Sequence, residues 1–166
     1  SESEEKFETK ATVSNGDVKA ETNSVSISLT KVDYIAQVVS STDNVNTDDT
    51  FRFTMFVRSS DSNITTDDDG NEVYNGSRQN SVISMQLPAE FTLDNVKIDD
   101  EDKTSDATVS NGKLSINIGT VGYNKVAVAV TLKAKMVDAN VYEKQLSITP
   151  TIKGDSTVEQ SMKTVN

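Results

Sequence analysis

Residues 81–98 read SVISMQLPAEFTLDNVKI, and residues 106–135 read DATVSNGKLSINIGTVGYNKVAVAVTLKAK. Three alternating apolar runs stand in these stretches: Ile83, Met85 and Leu87; Leu114, Ile116 and Ile118; Val126, Val128, Val130 and Leu132. A period of two puts the large residues of each run on one face of a strand. Leu87-Pro88 and Asn111-Gly112 separate the runs, and both pairs have defined turn chemistry. The three strands are therefore expected to form the inner sheet of a β-sandwich.

The same period extends in both directions. FRFTMFVR (51–58) turns Phe51, Phe53, Met55 and Val57 inward and Arg52, Thr54 and Arg58 outward. Phe56 breaks the alternation and is expected to cover a sheet edge or an adjoining segment. YIAQVVS (34–40) reads as a further strand after a bend at Asp33, and VSISLTKV as another through Val25, Ile27 and Leu29. Downstream, Val141, Leu146, Ile148 and Ile152 suggest a strand that Pro150 confines to an edge or a bend. Gly154-Asp155 then leads to a last strand with Val158, Met162 and Val165.

No stretch has helical periodicity. Roughly nine or ten short strands spaced by turns define an all-β protein, an immunoglobulin-like antiparallel β-sandwich with an N-terminal extra strand or hairpin. The sandwich is assigned to residues 25–166, and residues 1–24 to an acidic leader and hairpin.

Residues 1–6 (SESEEK) have no apolar partner and are expected to be mobile unless docked. Phe7, Thr9, Ala11 and Val13 then alternate toward Asn15-Gly16, a two-residue hairpin signal that returns the chain through VKAET. A lone hairpin is marginal in water. The segment either covers its own sandwich edge or donates a strand to a like subunit, with self-docking favoured. The hexapeptide ATVSNG occurs at 11–16 and again at 107–112, read as two hairpins with one turn solution.

Composition narrows the function. The 26 acidic residues exceed the 16 basic ones, against nucleic acid and anionic membrane surfaces as partners. Without Cys or His the chain has no disulfide, no Cys/His zinc site, no thiol nucleophile and no His-based triad. No run reaches the length of a membrane span and no signal-peptide pattern is present, so Ser1 is read as a mature start. An acidic, Thr/Ser/Asn-rich, cysteine-free chain points to an extracellular, cell-surface setting in a Gram-positive organism.

Asp49 before Phe51 and Phe53, then Leu87-Pro88, Asn95-Val96, the hairpin from Gly112 to Gly119 and the valine-rich Val126 to Leu132 form an ordered set. Over about residues 25–166 this order resembles a conserved repeat family of bacterial and archaeal surface proteins. The resemblance implies sandwich domains that occur in tandem as stalks or spacers of adhesins and envelope proteins. It implies as partners the neighbouring domains of one surface protein, or like subunits; a host or matrix ligand is left unspecified. The chain departs from the family pattern at 59–80, a long polar loop, and at Ile116, where the family often carries tryptophan.

The candidate sites are few. In DDDGNE, Asp67, Asp69 and Glu72 alternate as oxygen ligands would in a calcium loop. EF-hand spacing fails, because Thr65 and Gly76 stand where acids belong. A solvated loop is the first expectation and a looser calcium cage the second; Asp99–Asp102 is similar. No other cofactor is expected. An intramolecular Lys–Asn isopeptide bond, a device of Gram-positive surface sandwiches, would pair Lys31 with Asn166. Loop 59–80 would carry ligand binding if the domain were an adhesin. No aromatic platform for sugars and no catalytic centre are visible, and an enzyme is not expected.

Overall fold

The computed structural model describes residues 32–42, 44–136, 140 and 143–166, together with the backbone of 4–9, 12–15, 18–21 and 25–30. The chain divides into two compact units, Ser1–Val32 and Asp33–Asn166.

Among its described residues the first unit has four strands: β1 (Glu4–Thr9), β2 (Thr12–Asn15), β3 (Val18–Glu21) and β4 (Val25–Thr30). β2 pairs antiparallel with β3, and β1 with β4 from Glu4–Thr30 to Thr9–Val25, so one ladder nests inside the other as in a long β-ribbon. Three expectations change here. Glu4–Lys6 belong to a paired strand. The VSISLT strand pairs with β1 in this unit. Asn15 is itself paired, with Val18, so the reversal falls one residue later than an Asn15-Gly16 turn would place it.

The second unit has twelve strands: β5 (Tyr34–Ser40), β6 (Thr50–Ser59), β7 (Ile64–Thr66), β8 (Glu72–Tyr74), β9 (Arg78–Gln86), β10 (Phe91–Ile98), β11 (Glu101–Asp102), β12 (Ala107–Ser110), β13 (Lys113–Val121), β14 (Val126–Ala134), β15 (Thr151–Lys153) and β16 (Gln160–Ser161). They form two five-stranded antiparallel sheets and one small hairpin. The first sheet runs β11-β10-β14-β6-β5, the second β12-β13-β9-β15-β16, and β7 pairs only with β8. This is the immunoglobulin-like antiparallel sandwich the alternation predicts.

The three deciding runs do not share one sheet. β9 and β13 are neighbours in the second, while β14 lies in the first between β10 and β6. Alternation specifies which face of a strand is buried and carries no information about which sheet receives it. Phe53, Met55 and Val57 of β6 and Val128, Val130 and Leu132 of β14 line one side of the core. Ile83 and Met85 of β9 and Leu114 and Ile116 of β13 line the other. Each such side chain contributes about 1.5–3 kcal/mol on burial. Phe56, expected at an edge, sits half-buried on the outer face of the interior strand β6, opposite Gln37 and Ala127.

Turn chemistry explains the local reversals. Asn111 and Gly112 have φ of 51° and 76°, the left-handed pair that a two-residue hairpin needs between Ser110 and Lys113. The repeated hexapeptide thus reverses at different residues in its two occurrences. Beyond Lys135 the expected long strand shrinks to Thr151–Lys153, because Pro150 has no N–H for the ladder. The last strand shrinks likewise to Gln160–Ser161, with an isolated bridge between Ile148 and Val165.

The Gln160 side chain is among those that join the two sheets. The Gln160 Oε1 accepts the N–H groups of Asp33 and Tyr34, each at 3.2 Å, while its Nε2 donates to the Tyr34 carbonyl at 2.8 Å. A residue of β16 thereby caps the start of β5 in the opposite sheet.

Candidate functional site

Loop 59–80 is largely built structure. Within it Ile64 pairs with Tyr74, Thr65 with Val73 and Thr66 with Glu72. Period-two alternation is too short in ITT and EVY to mark these strands, so the polar composition masked them. The base of the hairpin is tied down. The Ser59 hydroxyl donates to the Gly76 carbonyl, the Tyr74 hydroxyl to the Asp61 carbonyl, and Asn75 Nδ2 to Thr65 Oγ1 at 2.8 Å.

Beside that base lies an aromatic cluster that sequence reading missed. Tyr74 meets Tyr123 edge-on with ring centroids 6.1 Å apart, and the Arg58 guanidinium lies 5.0 Å above the Tyr123 ring. Tyr123 is half exposed, as is Ile64 on the hairpin. Tyrosine and arginine of this kind are enriched where proteins meet partners. The isolated Tyr123 gave no periodic signal, since it stands in the β13–β14 turn.

The acids of the hairpin shape its turn. Asp67 Oδ1 accepts the N–H groups of Asp69 at 3.0 Å and Asn71 at 2.8 Å, and Gly70 takes a φ of 82°. Asp67, Asp69 and Glu72 are not brought together: among the described residues no three acidic side chains converge on a point that could hold a metal ion. Around Asp99–Asp102, Asp99 Oδ1 accepts the Ala127 N–H at 2.9 Å, so it too serves the backbone. The Asp102 carboxyl is held below its usual 3.8 by hydrogen bonds from the Thr104 hydroxyl and then the Thr104 N–H.

The other candidate residues are scattered. Lys31 lies outside the described residues, and Asn166 is exposed at the mouth of a cleft. Phe7 and Thr9 lie in β1 and Val13 in β2, while Ala11 lies outside the described residues. The three described positions of this expected strand therefore fall in two separate ladders.

That cleft, of about 1120 Å³, opens at one end of the second unit over Phe51, Phe91, Ala134, Ile148 and Val165. Phe51 and Phe91 stack at 6.3 Å on its floor. Lys144 Nζ donates to Glu90 Oε1 at 2.6 Å on its wall. This hydrogen bond, helped by the backbone, holds the Glu90 carboxyl below its usual 4.5. A carboxyl lowered in the folded chain contributes stability above its unfolded value and loses it as pH falls through the folded value. Glu90→Gln is thus expected to lower the melting temperature slightly at pH 7, where the contribution is fully present, and to flatten its decline between about pH 5 and pH 3, where the parent loses that contribution. An unchanged acid limb would show that the pair contributes nothing.

The buried polar groups are used in tying strands. Tyr34 hydroxyl and Ser81 Oγ lie 2.8 Å apart, and Ser81 Oγ also donates to the Arg78 carbonyl at 3.0 Å. Arg78 reaches back to Asp33, with Nε donating to its carbonyl at 3.0 Å and Nη2 3.7 Å from its carboxylate.

No family model matches the chain, and no curated protein sequence is similar to it. Solved structures resemble it at low identity. BcpA, the major pilin subunit of Bacillus cereus, gives a TM-score of 0.46 at 11% identity over 96% of this chain and 47% of BcpA. The collagen-binding domain of a Staphylococcus aureus adhesin gives 0.42 at 13% identity, over 81% of this chain and 95% of that domain. AvmM, which catalyses macrocyclization in alchivemycin A biosynthesis, gives 0.45 at 8% identity, over 78% and 86%. The chain spans about half the length of the BcpA subunit.

Proposed function

We propose that the chain is a non-catalytic extracellular structural module, a stalk or spacer domain of a cell-surface protein. One observation carries this reading: the polar residues buried among the described part of the second unit, Asp33, Ser59 and Ser81, all take part in ties between neighbouring segments of the chain. The described core beneath them is otherwise apolar. The family pattern in the sequence and the cysteine-free acidic composition support the same setting. No helix of the described residues is long and apolar enough to cross a membrane.

The test is labelling of intact source cells with antibody against the chain. The reading predicts signal on unpermeabilised cells that mild protease removes. Signal that emerges only after permeabilisation contradicts it.

The Tyr74–Tyr123–Arg58 cluster favours a second reading, a ligand-binding adhesin domain that uses the hairpin base. Immobilised collagen is a suitable first probe. Binding that falls at least about tenfold in Tyr123→Ala, with melting temperature unchanged, moves the assignment to an adhesin.

A further inference from the structure

Asn-Gly occurs three times in the chain, and at two of them, Asn75-Gly76 and Asn111-Gly112, both residues are described. In this pair the glycine N–H can attack the asparagine side chain, because no Cβ on the glycine obstructs the approach. The two pairs share that sequence and differ in surroundings. Asn75 is clamped. Its N–H bonds the Asn63 carbonyl at 2.8 Å, and its Nδ2 donates to Thr65 Oγ1 at 2.8 Å and to the Val73 carbonyl at 3.3 Å. Gly76 beside it is buried, with its carbonyl accepting the Ser59 hydroxyl.

Asn111 stands free at the tip of the β12–β13 hairpin. It is exposed, and its side-chain amide makes no hydrogen bond among the described residues; Gln86 Nε2 donates instead to its main-chain carbonyl, at 3.3 Å. The Gly112 N–H has no acceptor there either, although the Gly112 carbonyl takes the Leu87 N–H at 2.7 Å. The native turn holds Gly112 N away from the Asn111 side chain, so attack requires the turn to open. Opening is cheap at this place. β12 is a four-residue edge strand paired only with β13, and segments with few partners open locally far more often than the whole domain unfolds.

We propose that Asn111 is a site of spontaneous deamidation, and that its product loosens the β12–β13 edge. In the opened turn Gly112 N gives up its proton and attacks Asn111 Cγ. The N–Cγ bond forms, the Cγ–Nδ2 bond breaks, and the amide nitrogen leaves as ammonia with a proton equivalent to the one lost. The result is a five-membered succinimide. Water then opens the ring. Attack at Cγ gives an ordinary aspartate, and attack at the main-chain carbonyl carbon gives isoaspartate, in which the chain runs through the former side chain. The net change is ammonia exchanged for water, with no oxidant or reductant. Isoaspartate adds a methylene to the main chain of a turn that has only two residues between Ser110 and Lys113. The left-handed pair that closes this hairpin is then lost, and the four pairs from Ala107–Ile116 to Ser110–Lys113 weaken with it. This chemistry belongs to one turn and does not rest on the assignment to a cell surface.

The experiment ages the whole chain in mildly alkaline buffer at body temperature. Peptide mapping by mass spectrometry follows Asn75 and Asn111, and enzymatic isoaspartyl methylation scores the rearranged product. Asn111 should convert at least about tenfold faster than Asn75, whose amide must first give up two hydrogen bonds. In strong urea the two rates should converge, since the difference comes from the fold. Amide exchange in the aged chain should quicken across Ala107–Ser110 while β6 and β14 keep their protection. Asn111→Asp is the second measurement: it carries the new charge without the added methylene and should retain protection in β12. An Asn111 that stays intact in the folded chain while the urea-unfolded chain converts overturns the proposal. So does an Asn75 that converts as fast as Asn111 in the folded chain. Isoaspartate at 111 with β12 protection unchanged, or an Asn111→Asp chain as loose as the aged one, overturns the structural consequence.

Discussion

Val128→Asp is expected to leave the second unit unfolded at room temperature. Val128 is fully buried and pairs with Met55 on one side and Ile98 on the other, in the central strand of the first sheet. Its neighbours across the core are aliphatic, so a carboxylate there has neither a cation nor a hydrogen-bond donor. An uncompensated buried charge costs several kcal/mol or more, comparable with the whole stability of a domain of this size. Circular dichroism and a thermal melt decide the matter. The account predicts loss of the cooperative transition at pH 7, with partial recovery in Val128→Asn, which is polar but uncharged. A Val128→Asp chain with a normal melt would mean that β14 does not lie at the centre of the sheet.

Gly154→Ala should be the next most damaging single change. A methyl group at Gly154 would overlap the buried Tyr34 hydroxyl and come within 2.9 Å of the Gln79 carbonyl and 3.2 Å of Ser81 Oγ. The Tyr34 ring is fully buried and its hydroxyl is engaged with Ser81, so the side chain has no open space to enter. Overpacking of this kind costs about 1–3 kcal/mol, and loss of the Tyr34–Ser81 hydrogen bond adds about 1 kcal/mol. The melting temperature should fall by roughly 3–12 °C. Tyr34→Phe removes the obstructing oxygen and is mildly destabilising alone. In the double variant, part of the Gly154→Ala loss should return. Strict additivity of the two changes would rule out the overlap.

Residues differ in how much of this architecture they announce. Phe53, Val130 and Leu114 declare their burial through alternation, because a strand buried on one face repeats every second residue. The same signal is blind to sheet membership: it groups β14 with β9 and β13, although the short turn at 122–125 carries the chain from β13 to the opposite sheet. β7 and β8 are hidden because three residues are too few to hold a period. The interruption expected at Pro150 is legible in the sequence: the described strand begins just after it, at Thr151. Site features were less legible still. The Gln160 clasp joins residues more than a hundred positions apart, and the Arg58–Tyr123 stack joins a strand end to a turn. Neither contact has a local signature. The acidic runs were conspicuous in sequence, yet Asp67 and Asp99 spend their carboxylates on nearby backbone N–H groups.

The two-sheet sandwich, with β5 at one edge of the first sheet, is the centre of the account, and amide hydrogen exchange on a dilute sample tests it most directly. Amides along β6 and β14 should exchange slowly, near the global unfolding limit, since both strands are paired on two sides. Within β5 the pattern should alternate. Ile35, Gln37 and Val39 face β6 and should be protected, while Ala36, Val38 and Ser40 should exchange quickly. Uniform protection along Tyr34–Ser40 in the dilute monomer would contradict the account, because it would mean that another part of the same chain already covers the edge.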